Sequence, residues 1–298
     1  MTLPAVILGL EAWTGVMVLV AAGFYASSLL AVGTMIFKLG FADLPARHTT
    51  FLNRIALACI WIAIALVLLQ WPLQAGFLGG GTLGAALDPM LLGIVFESPQ
   101  GTRTLFAVSG LVLLHGLLLK HRAWPFLSLV GGVLVLLAFV QIGHTREEPR
   151  WLLGGLLLAH LSTASFWIGA LLPLYRVAGN PAYQTHPGGI LTRFGRLAST
   201  AVLLLLLAGA VLAWLLAGGI TPLFTTAYGQ ILLTKIAVVA LLLGLAALNK
   251  LRLVPAYERG DPRAPARLRR SILIEGLLVA AVFLTTALLT TASSPNGA

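Results

Sequence analysis

Hydropathy along this 298-residue chain changes on the scale of whole helices rather than single residues. Long apolar runs are separated by short stretches that hold nearly all the charge. Eight runs are readable, at about 9–36, 54–75, 104–119, 124–143, 151–174, 197–217, 228–248 and 271–292. A run of about 20 apolar residues can cross a bilayer as a helix, and a helix satisfies its own backbone in hydrocarbon. The pattern predicts an all-α integral membrane protein, a bundle of eight transmembrane helices in the lipid bilayer. The first run carries Glu11, has no basic segment before it and is too long for the core of a cleavable signal. It is therefore read as a span. Only Lys120-His121-Arg122-Ala123 separates runs three and four, which predicts a helical hairpin.

The polar stretches orient the bundle. Connections from odd to even runs hold fifteen basic residues against three acids, Asp43, Glu258 and Asp261. The opposite connections hold Arg103, Arg146 and Arg150 against Asp88, Glu97, Glu147 and Glu148. Basic loops face the cytoplasm, so both termini are expected to be extracytoplasmic. The same asymmetry accounts for the net charge of +10 without nucleic acid as a partner. Trp13, Trp71, Trp124, Trp151 and Trp214 fall near predicted span ends, where indoles anchor at headgroups. The longest outer connection, 76–103, begins with Gly79-Gly80-Gly81 and contains an apolar piece, Leu91–Phe96, too short to span. It is expected to lie in the interface or to cap the bundle. Pro255–Pro265 reads as a charged linker. Asn53–Leu57 and Gly195–Ser199 open the second and sixth runs alike, which fits a 4+4 duplication within one transmembrane domain, with halves 1–143 and 144–298.

Composition agrees. Hydrophobic residues make up 59% of the chain, charged residues 9%, and mean hydropathy is +0.97. These values exclude a soluble globule and a disordered chain. The single cysteine, Cys59, lies in an apolar run and forms no metal motif. The chain has no P-loop, Gly-x-Ser-x-Gly or His-Glu-x-x-His motif, so an enzyme is not expected.

Function is then sought among polar residues inside the runs, where an ionisable group costs roughly 2.5–3.5 kcal/mol on insertion scales. His160 is expected about 13 Å below the outer surface and His115 about 16 Å below it, on helices running the same way. Imidazole is a common metal ligand, so both are candidate ligands. The structural alternative is a hydrogen bond to Ser162, Thr163 or a neighbouring carbonyl. His144 closes the fourth run beside Glu147 and Glu148, fitting either a metal entry point or a solvated helix end. Lys235 and Glu11 are expected near the outer ends of their helices, within reach of a pairing. Glu275 is expected near Asn249 and Lys250 at the inner end.

Several motifs in the second half resemble the copper resistance protein D family. They are Arg193-Phe194-Gly195-Arg196-Leu197-Ala198, Thr226-Ala227-Tyr228-Gly229-Gln230 continuing to Lys235, Leu248-Asn249-Lys250-Leu251-Arg252, and Leu268-Arg269-Arg270-Ser271-Ile272 with Glu275. His160-Leu161-Ser162 with Phe166-Trp167-Ile168-Gly169, and Gly143-His144, also look like family motifs. The family-like core runs over about 143–292. The resemblance implies a bacterial inner (plasma) membrane protein that moves copper from periplasm to cytoplasm. It implies roles for His144, His160, Trp167, Tyr228, Lys235, Asn249 and Glu275, and a separate periplasmic copper-binding donor protein. His115 matches no family motif. Copper ion is the expected cargo. The alternatives are a membrane b-type haem protein or metal reductase, with haem b held by His115 and His160, and a factor that delivers copper to a periplasmic oxidase.

Overall fold

A computed structural model describes residues 11–41, 46–119, 124–143, 149–180, 189–217 and 219–292. These residues form helices joined by turns. The chain runs α1 (Ala12–Gly40), α2 (Ala46–Leu78), α3 (Leu83–Ala86), α4 (Pro89–Glu97) and α5 (Pro99–Leu114), the last ending in a 3-10 turn, His115–Leu118. It continues through α6 (Trp124–Val140), α7 (Arg150–Ala178), α8 (Ile190–Ala217), α9 (Ile220–Thr225), α10 (Ala227–Leu248), a π-helical turn (Asn249–Leu253), α11 (Val254–Glu258) and α12 (Ala264–Thr291).

Among the described residues, seven helical stretches are long and apolar enough to cross a membrane: α1, α2, α5 with its 3-10 turn, α7, α8, α10 through α11, and α12. The eighth expected span, α6, has 17 residues, or about 26 Å. Large apolar side chains such as Leu203, Leu207, Trp214, Trp61 and Leu277 face outward, as lipid contact requires. The connection 76–103 folds as short capped helices. Thr82, Asp88 and Ser98 each accept a backbone N–H of the following helix, and Pro89 and Pro99 occupy first-turn positions. Trp71 donates to the Leu92 carbonyl at 2.9 Å and stacks on Phe96, fastening α4 to α2. Pro255–Pro265 is not a plain linker. The π turn carries α10 directly into α11, and Tyr257 donates to the Val177 and Asn180 carbonyls, tying α11 to the end of α7.

Helix α1 stands in the middle. It packs on α2, α5, α6, α7 and α12. Its length serves two buried clusters, one around Phe24, Val32, Leu111 and Val135, the other beginning at Phe37 and including Trp167, Leu174, Leu268 and Ile272. Membrane helices approach closely where small residues meet. Here a Cβ on Gly33 would lie 2.0 Å from the Ser165 carbonyl oxygen and 2.9 Å from Gly169 Cα. The α5–α6 hairpin closes the same way at Gly110 and Gly131.

A helical Gly→Ala change gains about 1 kcal/mol of propensity, whereas overpacking costs about 1–3 kcal/mol. Gly33→Ala should therefore lower the melting temperature of the detergent-solubilised protein. Gly155→Ala, where an added Cβ meets nothing within 4 Å, should leave it unchanged or raise it.

Candidate functional site

His160 sits on α7, ten residues past Arg150, and faces α8. Its Nδ1 lies 3.1 Å from the Leu205 carbonyl oxygen. A carbonyl only accepts, so Nδ1 carries the proton and Nε2 keeps its lone pair. A metal-binding histidine is commonly oriented in this way, with one nitrogen donating to a carbonyl and the other left free to ligate. Gly209, one turn beyond Leu205, makes room for the ring. A Cβ there would come within 3.0 Å of Cε1 and 3.1 Å of Nδ1. The neighbouring hydroxyls take no part: Ser162 and Thr163 bond back to carbonyls of their own helix. Lys235 on α10 lies within electrostatic range of His160. Among the described residues its ammonium has no hydrogen-bond or ion-pair partner, and no group of three or more His, Cys, Asp or Glu is placed to hold a metal.

The other expected ligands are placed differently. Helix α5 starts at Pro99, not near residue 104, so His115 lies about 24 Å from the helix start. It opens the 3-10 turn, with Nδ1 against the Leu111 and Val112 carbonyls and its ring edge-on to Trp61 at 5.6 Å. Its helix packs on α6 and α2, whereas α7 packs on α1 and α8. His115 and His160 thus meet different neighbours, Trp61 on α2 and the Leu205 carbonyl on α8. His144 lies outside the described residues.

The expected Lys235–Glu11 pair is not formed. Glu11 is exposed at the start of α1, while Lys235 lies within electrostatic range of His160 on α7. The cause is the packing order, in which α12 lies against both α1 and α10. Tyr228 is buried beside Ile231, Leu232 and Leu289.

Glu275 is 4% exposed on α12. Asn249 Nδ2 donates to its Oε1 at 2.6 Å, and the buried Trp167 indole also hydrogen-bonds it. Asn249 is the residue at which α10 gives way to the π turn. Three residues named from the sequence thus come together, with Asn249 and Trp167 on the Glu275 carboxylate. Lys250 bonds to Ser199 instead.

Two buried cations escaped the sequence reading. Lys38 donates to Asn53 Oδ1 at 2.7 Å and to the Leu117 carbonyl at 2.9 Å, beneath the Trp124 ring, joining α1, α2, the 3-10 turn and α6. Arg103 is 3% exposed, donates to Gln70 Oε1 at 2.6 Å and lies over Phe24 at 4.8 Å. Ser98-Pro99, an N-cap followed by a first-turn proline, is the signal that would have placed Arg103 inside a helix.

Residues 188–289 match the family model of copper resistance protein D. This segment contains Tyr228, Lys235, Asn249 and Glu275, while His160 and Trp167 lie before it. Similar proteins include the copper transport protein CutJ of Bacillus subtilis (strain 168), 27% identical over 91% of this chain and 51% of that protein. The copper resistance protein D of Pseudomonas syringae pv. tomato is 28% identical over 71% of this chain and 73% of its own length. The inner membrane protein YebZ of Escherichia coli (strain K12) is 29% identical over 80% of this chain and 85% of its own length. The chain thus spans about half the length of the Bacillus relative. No solved structure matches it.

Gly209→Ala should push the imidazole off the Leu205 carbonyl. Losing such an orienting bond typically weakens metal affinity roughly 10–100-fold. Copper titration of the purified protein should show a loss of that size with the fold intact.

Proposed function

We propose that this protein carries copper across the bacterial inner membrane from periplasm to cytoplasm, with His160 as the ligand that copper meets inside the bundle. The observation that carries the reading is the anchored imidazole, whose Nδ1 is taken by Leu205 while Nε2 is left free. The copper-related names of its relatives supply the metal. One imidazole beside an ammonium makes a weak cation site. A copper ion at Nε2 meets the Lys235 charge in a medium where charges act strongly. A conducting site must bind well enough to admit an ion and weakly enough to release it, so the arrangement suits passage rather than storage. His144, before the start of α7, is the entry station in this reading. A periplasmic copper-binding protein delivers the cargo to it.

In the same reading α6 completes eight spans and both termini are extracytoplasmic. Its length of about 26 Å falls only slightly short of a hydrocarbon core of about 30 Å. The inner face then carries Lys38, Arg176, Arg193, Lys250 and the exposed Arg267, Arg269 and Arg270, as the positive-inside rule requires.

Cells expressing His160→Ala should accumulate several-fold less copper than cells expressing the unaltered protein at equal membrane abundance. Equal accumulation would make His160 a packing residue. A reporter pair fused at Ala298 should be active only in its periplasmic form, and cytoplasmic activity alone would overturn the eight-span topology.

A further inference from the structure

Glu275 is a carboxyl group in the helical core for which the copper reading has no use. Its polar partners are two neutral donors, the Asn249 amide and the Trp167 indole. An ionised carboxylate buried without a counter-charge is strongly unfavourable unless it is neutralised.

Among the described residues, the charged and titratable groups on the elements packed against α12 lie against other residues or are exposed. On α1, Tyr25 meets Thr290, and Lys38 bonds to Asn53 and the Leu117 carbonyl. On α7, His160 is held by Leu205, Tyr175 takes Arg269, and Arg176 lies over Phe51. On α10, Lys235 lies near His160 and Tyr228 sits in the cluster with Leu289. Beyond it, Lys250 bonds to Ser199, Arg252 is exposed, Tyr257 bonds to the Val177 and Asn180 carbonyls, and Glu258 takes Thr192. Among the described residues, none of these cations forms a hydrogen bond or ion pair with Glu275.

Two polar atoms beside the carboxylate are unused. Asn249 Oδ1 and Ser271 Oγ are buried and have no hydrogen-bond partner, and their residues are 9% and 5% exposed. Ser271 is one helical turn from Glu275, on the same face of α12. An amide presents a donor on one side and an acceptor on the other. In the arrangement seen, Asn249 turns its donor to Glu275 and leaves its acceptor empty. Rotating the amide by half a turn reverses this and offers Oδ1 to an acid proton.

We propose that Glu275 is a proton-exchange site within the bundle, with the Asn249 amide as the switch that follows its charge. In the ionised form, Oε1 accepts from Asn249 Nδ2 while Trp167 donates to the carboxylate. When a proton binds a carboxylate oxygen, the new O–H donates to Asn249 Oδ1, and Nδ2 gives up its bond to Oε1. One proton is gained, no other covalent bond changes, and the negative charge disappears. Deprotonation reverses each step. The proposal stands apart from the copper reading, since it involves neither His160 nor a metal.

Infrared difference spectroscopy on the copper-free purified protein tests it. Stepping the pH should reveal the C=O stretch of a buried protonated carboxyl that vanishes as the pH rises. That band should be absent in Glu275→Gln, which keeps the size and hydrogen-bonding capacity of the side chain. Should that variant fail to fold, glutamate labelled with carbon-13 at the side-chain carboxyl must shift the band, and the band must exchange slowly in D2O. A band that does not titrate, no such band, or one unaltered by both the substitution and the label would overturn the proposal.

Discussion

Helices α1 and α7 cross where Gly33 and Gly169 bring their backbones into contact, and the positions of the polar residues follow from that crossing. No side chain separates the two helices there, so the rotation of α7 about its own axis is set. His160, nine residues before Gly169, then faces α8, while Trp167, two residues before it, faces α12 and Glu275. Because α1 also packs on α2, α5, α6 and α12, the same contact relates the two large buried clusters. In lipid, the apolar residues have no solvent to flee, so close packing of this kind holds helices together where the hydrophobic effect does not.

The second constraint is that hydrocarbon offers polar groups no partners. Lys38 answers it with an amide, a carbonyl and a ring face drawn from three neighbouring elements. Arg103 answers it in part, with Gln70 and the faces of Phe24 and Tyr25, while its Nε and Nη2 are buried without a hydrogen-bond partner among the described residues. Those contacts make the two cations fasteners, one toward each end of the bundle. His160, Lys235 and Glu275 are placed otherwise: His160 Nδ1 is taken by Leu205 while Nε2 is not, the Lys235 ammonium has no partner among the described residues, and the Glu275 carboxylate meets neutral donors only. Ionisable groups of this kind are where a membrane protein can do work on an ion.

Much of this architecture was legible in the sequence, because helix length and apolar content are properties of single segments. Seven of the expected spans recur as helices with apolar outer faces, and the 124–143 segment as a shorter one. The pairing of Asn249 with Glu275 was legible from their expected depth. Helix ends were not, since apolar runs stop where polar residues begin while helices continue. For that reason Arg103 read as a loop residue and His115 as a midplane ligand, although the helix starts at Pro99 and ends at His115. The Lys235–Glu11 pairing failed for a related reason. Depth follows from counting residues, but the neighbours of a helix depend on tertiary packing, and α12 occupies the place that the pairing needed. The Gly209 recess for His160 is also a property of two helices together and has no signature in either alone.

The central claim is that His160 carries copper through its free Nε2. X-ray absorption at the copper edge of the protein loaded with one equivalent of copper tests this directly, because imidazole has a distinctive multiple-scattering pattern. The account predicts that pattern in the unaltered protein and its loss in His160→Ala. An unchanged imidazole signature in that variant would place the metal on another histidine and contradict the account.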